Sequence, residues 1–285
     1  MKKPISTLVL LAAALAALAV AGCGGKEETS GTSASASKCT PGQLPTHSKG
    51  VLTVATDKPA YPPYFENDEP ANGEGFESAV AYAIGKELGY PAAKVKWTVE
   101  PFNASYAPGP KSFDFDVNEI SITPAREKAV DFSAPYYTAN QAVVALKGSE
   151  AAKATSLADL KDAKIGVQIG TTSLEAVEEA IQPSSRPEVF NSSNDVVQAL
   201  KNEQIEAIVV DLPTALYLTE AQVPVAQIVG QFADPGGEQW GALLDKGSPL
   251  TACVSQAIEK LESSGELAKI TNRWMSQAAG APELH

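Results

Sequence analysis

Histidine is nearly absent from this chain of 285 residues: it occurs at His47, in a polar stretch, and at the last position, His285. A Ser-His-Asp triad, a Cys-His pair and a His-ligated zinc site each need an ordered histidine. Those chemistries are therefore excluded, and neither a metal nor a cofactor is expected. Positive charge is also scarce. Lys and Arg number 22 against 34 Asp and Glu, a net charge of −12. A nucleic-acid binder carries a basic stripe, and none is present, so no nucleic-acid partner is expected. The surplus acidity serves solubility. There is no phosphate-binding Gly-x-x-x-x-Gly-Lys-Ser/Thr run and no repeat of solenoid type. What remains is an ordinary globular balance, 44% hydrophobic and 20% charged, in a chain long enough for about two domains.

The first residues are an address label. Lys2 and Lys3 precede an apolar run from Ile5 to Val20, which ends in Ala21-Gly22-Cys23. This is the pattern of a secretory signal peptide, residues 1–22. Its length also approaches that of a membrane span, but Gly24-Gly25 and a Ser/Thr/Ala tract follow it instead of a basic cluster. Val20-Ala21-Gly22-Cys23 resembles the bacterial lipobox, which implies a lipidated Cys23 as the mature N-terminus. Residues 24–38 are polar and of low complexity, so 23–49 is expected to be a flexible linker on a lipid anchor. With Cys23 lipidated, Cys39 and Cys253 remain as an even pair in an oxidising compartment. A disulfide between them is expected; two buried free thiols are the alternative.

From about Gly50 the chain alternates strands and helices, which predicts an α/β fold with mostly parallel sheets. Val51–Thr56 is rich in β-formers, and Val95–Val99 reads as a second strand. Phe76, Val80, Ala83, Ile84 and Leu88 share one helical face, stopped by Gly89. Lys164–Ile169 alternates at period two before a helix carrying Leu174, Val177 and Ile181, and Asn194 is a candidate N-cap for the next helix. Ala207-Ile208-Val209-Val210 is continuously apolar, the mark of a strand buried on both faces. Two helical stripes, Leu250 to Leu261 and Leu267 to Trp274, close the chain.

Ligands in such folds gather beyond the carboxyl ends of strands, and several residues there have two readings. Asp211 follows the buried strand and either caps the next helix or meets a cationic ligand group. Gly170-Thr171-Thr172-Ser173 joins strand to helix and either caps it or presents N–H groups to an anion. Thr123-Pro124 opens a helical turn that places Arg126 against the helix dipole. That guanidinium suits a carboxylate, with a structural ion pair as the plain alternative. Tyr61-Pro62-Pro63-Tyr64-Phe65 either packs in a core or forms an aromatic wall.

In their order and spacing these pieces resemble the amino-acid-binding family of bacterial periplasmic solute-binding proteins, the receptors of ABC importers. The matching runs are Ala55-Thr56-Asp57 with Tyr61–Tyr64, Gly75-Phe76-Glu77, Ser121–Arg126, Val130–Tyr137, Val167–Ser173, Ala207–Asp211 and Leu267–Trp274. The resemblance implies a two-lobed periplasmic-binding-protein-like (type II) fold with a ligand cleft between the lobes. Lobe 1 would comprise residues 50–141 and 237–285, and lobe 2 residues 142–236. It also implies that Arg126 and the backbone at Thr171 and Thr172 take a ligand α-carboxylate, that Asp211 and Ser121 take the α-ammonium, that Tyr61 packs on the ligand side chain, and that Asp57 reads its polarity. Glu119 departs from the small residue common two positions before this serine. With Asp57 it favours a basic side chain; turned to an amide it would favour glutamine. The expected partners are a free amino acid, the membrane subunits of an importer, and the membrane through the lipid anchor, with the protein itself a monomer. Two rival readings use the same fold: a dehydratase-like enzyme with Glu119 as general base, and a ligand sensor for a membrane signalling partner.

Overall fold

A computed structural model describes residues 39–233, 237–275 and 281–285. Residues 1–38, on which the expected signal peptide and the expected lipidation of Cys23 fall, lie outside the described residues. In chain order the principal elements are β1 (Leu52–Thr56), α1 (Phe76–Glu87), β2 (Val95–Val99), α2 (Phe102–Ser105), β3 (Phe115–Asp116), β4 (Val130–Ala139) and β5 (Gln141–Leu146). They continue with β6 (Ile165–Gln168), α3 (Thr172–Ala176), β7 (Glu188–Phe190), α4 (Ser193–Lys201), β8 (Ala207–Asp211), α5 (Leu212–Tyr217), β9 (Ala226–Phe232), β10 (Glu238–Asp245), α6 (Thr251–Ser263) and α7 (Glu266–Trp274).

The strands form two five-stranded sheets, ordered β2-β1-β3-β10-β4 and β7-β6-β8-β5-β9. Each sheet with its helices makes one lobe of a two-lobed α/β fold. The sheets are mixed rather than mostly parallel. β1 runs parallel to β2 and β3, and β6 parallel to β7 and β8. However, β10 is antiparallel to β3 and β4, and β5 to β8 and β9. The cause is the double passage between sheets. The chain leaves the first sheet through β4 into β5 and comes back through β9 into β10, so the outgoing and returning strands lie side by side with opposite sense.

Burial follows the sequence pattern. Phe76, Val80 and Ile84 of α1 are fully buried against Leu52, Val54, Trp240 and Leu244 of the first sheet and Val254 and Ile258 of α6. Full burial of one such side chain stabilises the fold by about 1.5–3 kcal/mol. β8 is covered on both faces, as its unbroken apolar run predicts: Ala207 and Val209 enter one core with Ile165 and Val167, and Ile208 enters the other with Val197 and Leu200.

Two boundaries differ from expectation. Residues 39–49 are not linker but lie on the first lobe. Leu44 joins its core, the Gly42 amide donates to the Leu88 carbonyl at 2.9 Å, and the His47 amide to Asp114 at 2.6 Å. Residues 281–285, expected with lobe 1, pack instead on the second sheet. The Leu284 amide donates to the Gln231 carbonyl at 2.8 Å, and Leu284 is buried in that core. Gly230 makes this possible, because a Cβ there would run into Leu284 and the Pro282 carbonyl.

Cys39 and Cys253 form a disulfide across 214 positions of sequence, tying residues 39–49 to α6. Closing so long a loop restricts the unfolded chain, worth about 2–5 kcal/mol. The double variant Cys39→Ala/Cys253→Ala should lose that much stability in urea unfolding; an unchanged midpoint and slope would show that the bond restrains nothing.

Candidate functional site

A cavity of about 520 Å³ opens between the two lobes. The carboxyl ends of β1, β6 and β8, the loop after β3 and the first turns of α2 and α4 line it. Seven of the eight expected residues reach it: Asp57, Tyr61, Glu119, Ser121, Thr171, Thr172 and Asp211. Arg126 lies behind the lining. Its Nη1 donates to the Ser121 carbonyl at 2.8 Å and its Nη2 to the Gly170 carbonyl at 3.0 Å. The guanidinium stacks 4.8 Å from the Tyr106 ring and 5.5 Å from that of Phe102. Gly170 brings its carbonyl there with φ +74°, and a Cβ would run into the Tyr106 hydroxyl. The turn that carries Arg126 is a single 3-10 turn, Arg126–Lys128, and the Thr123 hydroxyl accepts the Arg126 amide at 3.2 Å.

The other side chains are set by their local elements. Asp57 accepts the Lys58 amide at 2.6 Å and the Phe102 amide at 3.2 Å, which fixes its carboxylate at the end of β1. Thr171 caps α3, accepting the Leu174 amide at 3.3 Å, so the capping reading holds at this position. Asn194 is not a cap. Ser192 caps α4, and Asn194, in the first turn, accepts the Tyr61 hydroxyl from the facing lobe. Tyr64 and Thr214 share a hydrogen bond of 2.8 Å across the same gap. All three aromatics of the 61–65 segment reach the cavity, but Tyr64 and Phe65 are also buried in the core of the first lobe while Tyr61 stays half-exposed.

Three residues without an expected role complete the site. Glu238, buried at the start of β10, accepts the hydroxyls of Ser121 and Thr172 and the amide of Gln141. Gln141, first in β5, also donates to Asp211 at 2.7 Å. Glu77 of α1 is fully buried and accepts the Glu119 amide at 2.8 Å and the Tyr136 hydroxyl. The signal for Gln141 is a polar residue directly before a buried apolar run; Glu238, followed by the exposed Gln239, carries none. For Glu77 the signal is a single acid beside the apolar face of a helix.

The electrostatics are one-sided. Asp57, Glu119 and Asp211 face the cavity with Glu77 and Glu238 behind them, against Lys58 at its edge and the single guanidinium buried among the described residues, that of Arg126. Burial pushes the Asp211 carboxyl well above the usual carboxylate range, Glu238 adds to this, and the Gln141 amide and Arg126 pull it back. Burial, then Glu77, raises Glu119 in the same way. Glu119 also sits at φ +48°, a left-handed conformation disfavoured for a residue with a side chain. The arrangement is suited to hold cationic groups with an anionic group beside them.

A protein-family model described as bacterial extracellular solute-binding proteins, family 3, matches residues 52–277. The arginine-binding extracellular protein ArtP of Bacillus subtilis (strain 168) is 30% identical over 273 residues, covering 94% of this chain and 97% of that protein. The ABC transporter glutamine-binding protein GlnH of the same organism is 28% identical over 279 residues, covering 96% and 98%. Among solved structures, an ancestral arginine-binding protein bound to arginine superposes with a TM-score of 0.65 at 34% identity, covering 79% of this chain and 97% of that one.

The left-handed backbone at Glu119 is strained. Glu119→Gly should raise the unfolding free energy of the ligand-free protein by on the order of 1 kcal/mol, read as a higher Tm at pH 7. A lower Tm would mean that the side chain is structural.

Proposed function

The chain belongs to the bacterial extracellular solute-binding proteins, family 3, and from that premise we propose that it is an extracytoplasmic receptor that captures a free amino acid, polar or basic in its side chain, for the membrane subunits of an ABC importer. The observation that carries this reading is the interlobe cavity, rich in carboxylates and backed by one buried arginine. A zwitterion needs one fixed anion and one fixed cation a few ångströms apart. Asp211 at the end of β8 takes the α-ammonium with the Ser121 hydroxyl. Arg126 gives up its bond to the Gly170 carbonyl and takes the α-carboxylate, helped by Thr171 and Thr172. Tyr61 covers the side chain, and Asp57 and Glu119 read its polarity. Cys23 carries the lipid that holds the receptor at the membrane, where it acts as a monomer.

Asp211 belongs to the second lobe and Arg126 to the first, so neither lobe alone satisfies both ends of the ligand. Capture and closure are then one event, and exclusion of water from the closed cleft strengthens both ion pairs. The relatives compared above are named for binding, which supports this reading over a dehydratase-like one.

A thermal-shift screen tests it. The chain from Lys26 onward, partly unfolded and refolded to strip carried-over ligand, is screened against the twenty amino acids, ornithine and citrulline. A ligand at about a hundred times its Kd stabilises the native state by about 2.7 kcal/mol, so one or a few polar or basic amino acids should raise Tm. Silence across the set from folded protein would overturn the proposal. Arg126→Ala and Asp211→Ala should each abolish binding by calorimetry while leaving the far-ultraviolet circular dichroism unchanged; near-normal affinity in either would mean that the zwitterion sits elsewhere.

A further inference from the structure

Glu77 has no place in the scheme above, yet it lies directly behind the cavity wall. It is fully buried in the first turn of α1. Its Oε1 accepts the Glu119 amide at 2.8 Å and the Tyr136 hydroxyl, and its buried Oε2 has no hydrogen-bond partner among the described residues. The Glu119 residue, whose backbone Glu77 holds, sets its carboxyl beside that of Glu77 and lines the cavity on its other side.

Among the described residues, no cation forms an ion pair with either member of this carboxyl pair. Tyr136 faces it from β4 and Tyr64 from the segment before α1. Asp57 at the end of β1, Asp116 of β3 and Asp211 at the end of β8 complete the set. A fully buried carboxyl and a half-buried one beside it are costly to ionise together without a compensating cation. The donor that the pair lacks is a proton held on one carboxyl and shared with the other. Burial raises the Glu77 and Glu119 carboxyls alike, in agreement with this arrangement.

We propose that the Glu77–Glu119 pair holds one proton in the unliganded cleft and releases it to solvent when the cationic side chain of a basic amino acid settles against Glu119. The inference rests on the receptor reading and deepens it. The exchange balances: one O–H bond breaks, the proton leaves with its unit charge, and the guanidinium or ammonium brings one unit charge in its place. A neutral side chain such as the carboxamide of glutamine brings no charge and leaves the proton where it is. Glu119 is then the residue that selects for a cationic side chain, and Glu77 is a positioning residue that fixes the Glu119 backbone and stores the proton. By linkage, affinity for a basic amino acid rises with pH, by up to about tenfold per pH unit while the pair is protonated. Affinity for a neutral one lacks this contribution over the same interval.

The test is isothermal titration calorimetry of the full chain in detergent micelles at pH 6.5, with L-arginine, L-lysine and L-glutamine, each in phosphate and in Tris. The two buffers differ widely in ionisation enthalpy, so the difference in observed heat counts protons. Arginine or lysine should release close to one proton more than glutamine does. Asp211 meets the α-ammonium of every amino acid, so any proton it releases is common to all three ligands, and equal release with arginine and glutamine would overturn the proposal. Glu77→Gln should abolish the excess and bring the pH dependence of arginine affinity to that of glutamine. Where that variant fails to fold, Glu119→Gln, which keeps Glu77 and its backbone anchor, should lose the excess and bind arginine about tenfold or more weakly. Arginine binding with the same heat in both buffers, or binding of neutral amino acids alone, overturns the proposal and leaves the receptor reading standing. Binding of no amino acid overturns both.

Discussion

A cluster of buried and half-buried carboxylates, with a single guanidinium buried beside them among the described residues, is the constraint on which this molecule turns. Asp57, Glu119 and Asp211 line the cavity with Lys58 at its edge, Glu77 and Glu238 stand behind, and Arg126 lies behind the wall. Such a set is costly unless each group finds a donor, a proton or a cation. The fold supplies the donors it can: the Lys58 and Phe102 amides to Asp57, the Gln141 amide to Asp211 and Glu238, and the Ser121 and Thr172 hydroxyls to Glu238. The remainder of the deficit is what a ligand with positive charge can satisfy.

The same constraint explains why the site is divided. The groups that make the negative field come from both sheets, and Gln141, which opens β5, donates to Asp211 and to Glu238, which opens β10. Glu238 also joins the start of β10 to the hydroxyls of Ser121 and Thr172 on either side of the cleft. Tyr61 with Asn194, Tyr64 with Thr214 and Arg126 with Gly170 add bonds between the lobes. A ligand that changes the charge at the centre changes the balance of all of these together.

Much of this is legible in the sequence, and the remainder is hidden for physical reasons. Asp57 and Asp211 show because a charged residue at the end of an apolar strand is conspicuous, and the disulfide shows because a lipidated Cys23 would leave an even pair. The Ser192 cap does not show, since Ser192 and Asn194 are both good caps two positions apart and propensity does not choose between them. The antiparallel pairs are invisible to periodicity, which reports burial and not strand direction. The Glu77–Glu119 contact joins residues 42 positions apart through a backbone conformation that the residue type disfavours. Residues 281–285 carry no strand pattern of their own; their place depends on the space that Gly230 leaves.

Capture of a cationic amino acid and closure of the lobes, if they are one event, must show in the distance between the lobes. Spin labels on cysteines placed at the exposed positions Lys96, on the first sheet, and Lys201, on α4 of the second lobe, report that distance by double electron–electron resonance. Saturating L-arginine should collapse the distance distribution to a single, shorter population, and the Asp211→Ala protein should not respond. Arginine bound by calorimetry with an unchanged distribution would contradict that coupling.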